Sequence, residues 1–593
     1  MSRAIPFAVG ILILAAVGGP AMLRAGDVLA ARPAGDEGGV PASGPAGDKE
    51  PGSPFSRWRT ATSVEQIQRV LADMGLYLGP VDGHLNDETR AAIRVYQQGA
   101  GLKVDGKVTR ELWDLLNNAS RVRALLRRLD KARRTGRDVA RRALLSHPAT
   151  RDLVDVPNRE RADPTRNIDA CFNEPTVRCL LAEASESAKA VFRPELRDWA
   201  LGEILVAEAR AGLTENAMQT VRRIRDPRLI MVALRDIAEA EAASGRAEEA
   251  RAAAEIIPDH DKQADALAAI AGIQVQRKEH AHARDTVQRL LDLIEDLEPA
   301  VRRVALRSRA AVILAQSGDE AGARRNMDAA EAEARGDISA QAQATALRHV
   351  ASALADMSRP ADAISVVADI SSDSERTSAL VSTAEAQVRA GDAAAALATA
   401  DGIETVRFKA AVLGRIAQSQ AQAGDNAGAE ATIKLALAAI DNISSAFARS
   451  YAISRVALAM ASTGGGTPAF DKATETSKRI EDGRLRAQTL WSITAERRRV
   501  GDTDGAAATE AEAEDATDLI VSRLSQVWMF SDIALVHARH ARPDDADDAL
   551  RRALDVARSL ENAWSRSRAL ARLAVILVEI VTPNPDLPLA PPR

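Results

Sequence analysis

Residues 233–257 read ALRDIAEAEAASGRAEEARAAAEII, and this phrase, which recurs along the C-terminal two thirds of the chain, decides the fold. Apolar residues recur every three to four positions on both sides of a Gly-Arg break, which predicts two amphipathic helices joined by a tight turn. The phrase returns with a Gly-Asp break at 379–403, ALVSTAEAQVRAGDAAAALATADGI, and at 412–437, VLGRIAQSQAQAGDNAGAEATIKLAL. The sequence therefore predicts an array of helix–turn–helix units from about residue 195 to residue 581.

The breaks between paired helices recur at a regular spacing of 33 or about 40 residues. Seven carry glycine and three are expected where the glycine is lost: Gly212, Gly245, Gly318, Gly391, Gly424, Gly464 and Gly501, and positions near Lys278, Ser358 and Arg542. A helix–turn–helix period of this size indicates an α-solenoid, in which each unit stacks on its neighbours. We assign residues 170–582 to this array.

The composition favours an all-α fold. Hydrophobic residues make up 46% of the 593 residues but aromatic residues only 3%, whereas strand-rich folds draw on aromatic and β-branched side chains. The net charge of -5 gives no general attraction to nucleic acid, so we expect no nucleic-acid partner.

A second compact region precedes the array. Residues 63–116 contain three short segments with helical periodicity, separated by two turns that share the tripeptide Val-Asp-Gly, at 81–83 and 104–106. In each turn Asp supplies a side-chain acceptor and Gly permits a positive φ. Three short helices are therefore expected here.

These residues resemble a type 1 peptidoglycan-binding domain. The resemblance rests on Gln68, Leu71, Gly75, Tyr77 and Gly79, on both Val-Asp-Gly turns, and on Thr89, Ala92, Ile93, Gln97, Gly101, Leu102, Trp113 and Leu116. Tyr96 replaces the usual phenylalanine, and 85–87 replace a glycine-containing loop. The resemblance implies a three-helix module over residues 61–118 that binds the glycan or the stem peptide of peptidoglycan.

Four residues around the two turns are the candidate peptidoglycan-binding set: Tyr77, Asp82, Arg90 and Tyr96. Tyrosine rings stack on sugar faces, and charged groups bind hydroxyls and stem-peptide carboxylates. Structural roles compete with this interpretation, because Asp82 can simply close its turn and Tyr96 can fill the core.

The N-terminus carries an export signal. One arginine, an uncharged stretch over 4–23 and small residues after it form the pattern of a secretory signal within residues 1–30, although the stretch is also long enough for an uncleaved anchor. Residues 31–60 are rich in Gly and Pro and are expected to be a disordered linker. We expect a periplasmic or secreted protein, held at the inner membrane if the segment is retained.

A strongly basic connector follows the module. Residues 121–142 contain ten Lys or Arg residues and only two aspartates, which gives this segment a net charge of +8. A partial apolar stripe predicts a helix over 119–145. This basic helix could bind anionic wall polymers, a membrane surface or the acidic remainder of the chain. Alternatively, it is a solvated connector that binds nothing. Residues 146–169 form a second linker, and 583–593 a disordered Pro-rich tail.

The chain has two cysteines, eight positions apart. Cys171 and Cys179 are too distant to bridge in one continuous helix, but a fold-back before Pro175 would let them meet. In an exported chain we expect a disulfide that clasps the first repeat.

The array resembles tetratricopeptide repeats in divergent form, through the Ala-Gly-Asp break and the alanine that follows it. The family's Trp-Leu-Gly-Tyr signature and closing proline are mostly missing. The resemblance implies binding of a protein or peptide along the concave face, by surface residues that one sequence does not identify.

No catalytic constellation is present in the sequence. His-Glu-x-x-His, Gly-x-Ser-x-Gly and the phosphate-binding loop are all absent, and His537 with His540 reads as a coincidence on a helix surface rather than a metal site. We expect no cofactor, no metal and no enzymatic activity.

The sequence predicts an exported, cell-wall-associated adaptor that binds peptidoglycan and an unidentified protein. Two alternatives remain: an accessory or activator subunit of a wall hydrolase or envelope-assembly system, and a hydrolase with an unrecognised site.

Overall fold

A computed structural model describes residues 61–581 except 158–159, 164 and 540. The predicted signal segment, the first linker and the C-terminal tail lie outside these residues. The described chain is all-helical, without strands, so the predicted fold class is confirmed. It divides into two compact units, one ending at Val139 and the other beginning at Ala140.

The first unit contains three helices: α1 (Ala61–Asp73), α2 (Asp87–Gly99) and α3 (Arg110–Ser146). Their core consists of Ile67, Leu71, Ile93, Leu112 and Leu116, each almost fully buried, with Tyr77 and Ala92 beside them. Helix α3 does not stop at the end of this core. It runs for 37 residues without a break, so its last residues belong to the second unit.

The second unit is built from alternating helices, which we call A and B. It opens with the short α4 (Asp169–Asn173) and with α5 (Val177–Lys189). The A helices are α6 (Pro194–Arg210), α8 (Pro227–Ala243), α10 (His260–Gln276), α12 (Ala300–Gln316), α14 (Ala340–Asp356), α16 (Asp373–Arg389), α18 (Val406–Gln422), α20 (Ala446–Ser462), α22 (Gly483–Arg499), α24 (Arg523–Arg539) and α26 (Ala563–Val581). The B helices between them are α7 (Thr214–Val221), α9 (Ala247–Glu255), α11 (His280–Ile294), α13 (Glu320–Ala334), α15 (Pro360–Ala368), α17 (Ala393–Asp401), α19 (Asn426–Ile440), α21 (Thr467–Ser477), α23 (Thr503–Asp518) and α25 (Pro543–Arg558).

The two spacings of the sequence period come from the B helices alone. The A helices from α6 to α24 all have 17 residues, whereas the B helices have between 8 and 16. Breaks 33 residues apart enclose a short B helix such as α9, with 9 residues, and breaks 40 apart enclose a long one such as α11, with 15. Six of the seven additional residues belong to the longer B helix, which gains between one and two helical turns.

The turn after each A helix has the backbone conformation that the glycines predicted. All seven glycines at the predicted breaks have positive φ. At the breaks that lack glycine, Lys278, Ser358 and Ala541 take the same left-handed conformation, with φ between 56° and 63°. The alignment of these degenerate breaks is confirmed, with the last one displaced by a single residue.

The array closes into a ring. Each A helix packs against the next, and the last one, α26, packs against the first, α6. Helix α26 also packs on α5 about as closely as the other A helices pack on their own B helices, so the eleventh A–B pair combines the two ends of the array. Neighbouring A helices contact one another all round the ring, whereas neighbouring B helices make few contacts. The A helices therefore line the inner circumference and the B helices the outer one.

The ring closes at a seam that holds a buried arginine among three tryptophans. The Arg568 guanidinium on α26 lies 4.8 Å, 5.0 Å and 4.6 Å from the ring centroids of Trp199, Trp528 and Trp564. Its Nε and Nη2 atoms donate to Glu203 Oε1 on α6, at 2.9 Å and 2.6 Å. The ion pair thus joins residues 365 positions apart.

A disulfide reinforces the same seam. The structure joins Cys171 on α4 to Cys179 on α5, with a Cα–Cα distance of 5.8 Å. Helix α4 in turn contacts α25 across the seam: the Arg558 Nη2 atom donates to Asn173 Oδ1 at 2.7 Å, and the guanidinium lies 5.3 Å from the Phe172 ring. The sequence suggested that this disulfide fastens the first repeat of the array. In the structure it fastens α4 to α5, the helix that forms the last A–B pair with α26.

Replacing Cys171 and Cys179 together with serine is expected to lower the stability of the ring by about 2 kcal/mol, because the disulfide restricts a short loop of the unfolded chain. Hydrogen exchange should rise first in α4 and α5, and the midpoint of thermal unfolding should fall. A reductant should lower the midpoint of the unmodified protein but not that of the double variant. Equal midpoints for the two proteins without reductant would contradict the role of the clasp.

A buried carboxylate occupies a position that other repeats fill with glutamine. Gln274 and Gln420 each accept a hydrogen bond from a threonine of the following B helix, at 2.8 Å and 2.7 Å. In the first pair Glu208 takes this place, and the Thr220 hydroxyl donates to it at 2.8 Å. Burial raises the pKa of the Glu208 carboxyl to about 7, so below this pH the group is mostly neutral.

Glu208→Gln is expected to stabilise the protein at pH 8 and to change it little at pH 4. Since folding raises the pKa, the folded state favours the protonated acid, and stability present at pH 4 is lost as the pH rises towards 7. Glutamine removes this loss, by up to about 3 kcal/mol. Thermal unfolding at both pH values measures the gain. The reverse change at the matching position, Gln274→Glu, should destabilise the protein at pH 8, and a pH-independent effect of Glu208→Gln would contradict the assignment.

Candidate peptidoglycan-binding surface

The first unit is organised by two buried glutamines, one for each Val-Asp-Gly turn. Gln68 lies on α1 with none of its surface exposed, and Gln97 lies on α2 with 3% exposed. Each uses its amide oxygen as a double acceptor and its amide nitrogen as a donor to fix a turn that follows it in the chain. The two turns are thus held by the same arrangement, built twice.

Gln68 fixes the first turn. Its Oε1 atom accepts from the backbone N–H groups of Asp82 and Gly83, at 3.1 Å and 2.8 Å. Its Nε2 atom donates to Asp82 Oδ1 at 3.1 Å and to the His84 carbonyl at 2.9 Å. The backbone N–H of His84 completes the motif by donating to Asp82 Oδ1 at 2.9 Å.

Gln97 fixes the second turn with the same atoms. Its Oε1 atom accepts from the backbone N–H groups of Asp105 and Gly106, at 3.1 Å and 2.9 Å, and its Nε2 atom donates to Asp105 Oδ1 at 3.0 Å. The Lys107 backbone N–H donates to the same carboxylate oxygen at 3.0 Å. These bonds, led by those from the backbone N–H groups of His84 and Lys107, hold the pKa values of both aspartates below their usual range.

The structure gives two of the four candidate residues a structural role. Tyr77 is only 3% exposed, its ring packs in the core, and its hydroxyl donates to the Pro80 carbonyl at 2.8 Å. A ring without an exposed face does not stack on a sugar, so we remove Tyr77 from the candidate set. Asp82 closes its own turn, because its Oδ1 atom accepts hydrogen bonds from Gln68 Nε2 and from the backbone N–H of His84.

The other two candidates lie on α2 but on different faces. Tyr96 is half-buried and packs against the core of the module, and this burial raises the pKa of its phenol. Arg90 is also half-buried. Six positions separate them, which places them well apart around the helix. The structure therefore does not unite the four predicted residues in one site.

A different residue joins Arg90 at the second turn. Arg94 lies one helical turn after Arg90, and its Nη1 atom would be 2.9 Å from a Cβ atom added to Gly106. The Arg90 carbonyl lies 3.2 Å from the same point. Gly106 thus permits the turn to approach α2, and the Arg94 guanidinium lies beside it. Sequence reasoning missed Arg94, although its spacing of four from Arg90 was visible.

Each turn of the module has an exposed apolar side chain near it. Leu78, next to the first turn, is 98% exposed, and Val104 at the second turn is 51% exposed. Beside Leu78, a Cβ atom on Gly79 would lie 2.6 Å from a Glu88 carboxylate oxygen and 2.7 Å from the Tyr77 hydroxyl, so no larger residue fits there. Guanidinium groups next to exposed apolar side chains suit a ligand that carries both carboxylates and sugar or alanyl surfaces.

The described part of the repeat unit offers little that suggests catalysis or metal binding. No group of three or more His, Cys, Asp or Glu side chains is arranged for a metal there. His537 is buried on α24, and His540 lies outside the described residues. A small open groove lies between α22, α24 and α25, where Arg552 covers the Trp491 ring at 4.5 Å. Within the described residues no helix is long and apolar enough to cross a membrane.

Comparison with protein families identifies one domain. Residues 60–116 match the peptidoglycan binding domain family, which covers about a tenth of the chain and coincides with the module built on Gln68 and Gln97. The resemblance stated from the sequence is confirmed for this module, whereas the tetratricopeptide-like nature of the repeats is not established. No curated protein matches the chain.

Two solved structures are similar to this chain over nearly their whole length. Ton1535 from Thermococcus onnurineus NA1 is 15% identical, with a TM-score of 0.26, over 59% of this chain and 97% of that one. A circular tandem repeat protein with a novel repeat topology is 13% identical, with a TM-score of 0.16, over 88% of this chain and 96% of that one. At such scores neither similarity bears on the fold of this chain, and the closure of the ring rests on its own contacts.

Proposed function

We propose that this protein is an exported, non-catalytic adaptor that binds peptidoglycan through its first unit and a protein partner through the ring. The family match over residues 60–116 carries the proposal, because it covers the whole Gln68–Gln97 framework on which the candidate surface is built. The binding surface would comprise Arg90 and Arg94, which lie one helical turn apart on α2.

Export is supported by two independent features. The uncharged stretch over 4–23 follows a single arginine, as in secretory signals. The second feature is the disulfide at the seam of the ring, because such bonds persist mainly in oxidising compartments. Cell fractionation tests this part: recovery of the mature protein only from the cytosol would overturn it.

The ring supports the adaptor role through its construction. Eleven pairs of short helices bury three apolar clusters that follow one another around the ring, and they expose two circumferences formed by different helices. Repeat arrays of this kind present extended surfaces to other chains. Incubation of the pure protein with dye-labelled peptidoglycan tests the non-catalytic part, since release of soluble dye would revive the hydrolase alternative.

Replacing Arg90 and Arg94 together with glutamate is expected to weaken binding to insoluble peptidoglycan at least about 10-fold, because two cations one helical turn apart on α2 become anions that repel stem-peptide carboxylates. Co-sedimentation of the full chain with purified sacculi measures the affinity. Arg69→Glu, on the exposed side of α1, is the matched control and should leave it unchanged. If the double variant kept full affinity while the control weakened binding, the assigned surface would be wrong.

A further inference from the structure

The middle of α3 is an amphipathic helix whose apolar side is uncovered. Between the core residue Leu116 in the first unit and the core residue Leu144 in the second, the helix is exposed along nearly its whole length. Four apolar residues at helical spacing share one face: Val122, Leu125, Leu126 and Leu129, which are 57%, 57%, 54% and 44% exposed. We call this the Leu stripe.

The other faces of the same helix are basic, with Arg128, Lys131 and Arg134 opposite the Leu stripe, while Arg133 falls in line with the stripe itself. Eight arginines or lysines between positions 121 and 137 are all exposed: Arg121, Arg123, Arg127, Arg128, Lys131, Arg133, Arg134 and Arg137. Asp130 and Asp138 are the acidic residues of this segment. Arginine and lysine stems are long enough to place their charges in a polar layer while the stripe beside them is buried in an apolar one.

We propose that residues 119–139 of α3 lie in the surface of an anionic phospholipid membrane, with the Leu stripe among the acyl chains and the arginines among the head-group phosphates. Charge complementarity selects this occupant. A second copy of the helix would be repelled, because it carries the same positive charge. A neutral apolar groove on another protein would cover the Leu stripe but would leave the basic residues without opposite charges. A phosphate-rich interface over an apolar layer satisfies both faces together. This inference does not rest on peptidoglycan binding.

A fluorescent probe on the stripe tests the proposal in the full chain. The only two cysteines are joined to each other, so Leu125→Cys provides a single reactive thiol for a polarity-sensitive dye. On vesicles of phosphatidylethanolamine with 30% phosphatidylglycerol, the emission should shift to the blue and increase about two-fold, and 0.5 M salt should reverse the change. On phosphatidylcholine vesicles the dye should stay in water, even if the apolar stretch over 4–23 brings the protein to the bilayer.

Charge reversal provides the matched pair of variants. Arg128→Glu, Lys131→Glu and Arg134→Glu, all on the basic face, should lower the affinity for the anionic vesicles at least about 10-fold. Arg324→Glu, Arg325→Glu and Lys434→Glu change the net charge equally on exposed positions of the ring and should have no effect. The helical content of both should be unchanged, which excludes unfolding as the cause.

Four results would overturn the proposal. They are no shift on anionic vesicles, an equal shift on neutral vesicles, a shift without vesicles that grows with protein concentration, and a stronger shift on lipid-free sacculi than on vesicles. The third would assign the stripe to self-association, and the fourth would assign the basic face to wall polymers.

Discussion

Replacing Arg568 with alanine is expected to open the ring. Arg568 is 5% exposed, and its guanidinium connects Glu203 on α6 with the rings of Trp528 and Trp564 on α24 and α26. Removing it leaves the Glu203 carboxylate, whose side chain is 11% exposed, beside a cavity lined by tryptophan. Loss of one partner from a buried ion pair costs about 3–5 kcal/mol.

The expected consequence is local before it is global. Because α26 packs on both α5 and α6, weakening this contact should raise hydrogen exchange in α5, α6 and α26 while the pairs opposite the seam stay protected. Small-angle scattering should show a larger radius of gyration, since an array released at its seam can uncoil. The midpoint of thermal unfolding should fall by several degrees.

Arg551→Ala is the matched control for this experiment. Arg551 pairs with Asp547 on the surface of α25, and both side chains are about two thirds exposed, so its removal should cost less than about 0.5 kcal/mol. If the Arg568 variant kept the exchange pattern and dimensions of the unmodified ring, the seam would not depend on this arginine. Arg210, which donates to Glu579 Oε1 at 2.7 Å, would then be the group to examine at the same seam.

Replacing Gln68 with leucine is expected to unfold the first unit and abolish its binding to sacculi. Leucine has a similar volume but leaves the backbone N–H groups of Asp82 and Gly83 without their acceptor in a half-buried turn. Each such loss costs about 1–3 kcal/mol. A domain of this size has a total stability of only about 5 kcal/mol, so the change removes most of it.

Gln98→Leu makes the same substitution at an exposed position of α2 and should have little effect. Hydrogen exchange over residues 61–116 and co-sedimentation with sacculi measure the two consequences, and the ring should keep its own exchange pattern in both variants. A Gln68 variant with protected amides in α1 and α2 would show that the glutamine is dispensable. One with protected amides but lost binding would make Gln68 part of the binding surface.

Sequence reasoning predicted the repeat architecture because its signals are local. Helix periodicity and the left-handed residue after each A helix depend on residues within one pair, so even Lys278 and Ser358 could be placed without their glycine. The small module was recognised for a similar reason, since its Val-Asp-Gly turns lie close in sequence to the glutamines that fix them.

Closure of the ring could not be predicted in the same way. It depends on the sum of many small rotations between pairs, and its contacts join residues as distant as Arg558 and Asn173, 385 positions apart. Trp199, Trp528 and Trp564 were visible as rare aromatic residues, but nothing in the sequence indicated that they surround one arginine.

The binding residues were the least predictable part of the site. Tyr77 and Asp82 stand at the turn in the sequence, but the residue types that suit a ligand also suit a core and a tight turn. Burial separates the two roles, and burial becomes visible only in three dimensions. Arg94 was overlooked because its neighbour across the second turn, Gly106, is twelve positions away.

The pairing of α5 with α26 constrains how this gene could change during evolution. An open solenoid gains or loses a repeat at little cost, because its ends are free. A closed circle of eleven pairs must turn by about 33° per pair, so duplication or deletion of one pair would leave the first and last helices out of register. Conversely, cutting the polypeptide at any outer loop and splicing Val177 to the end of α26 should yield a circular permutant that folds to the same shape.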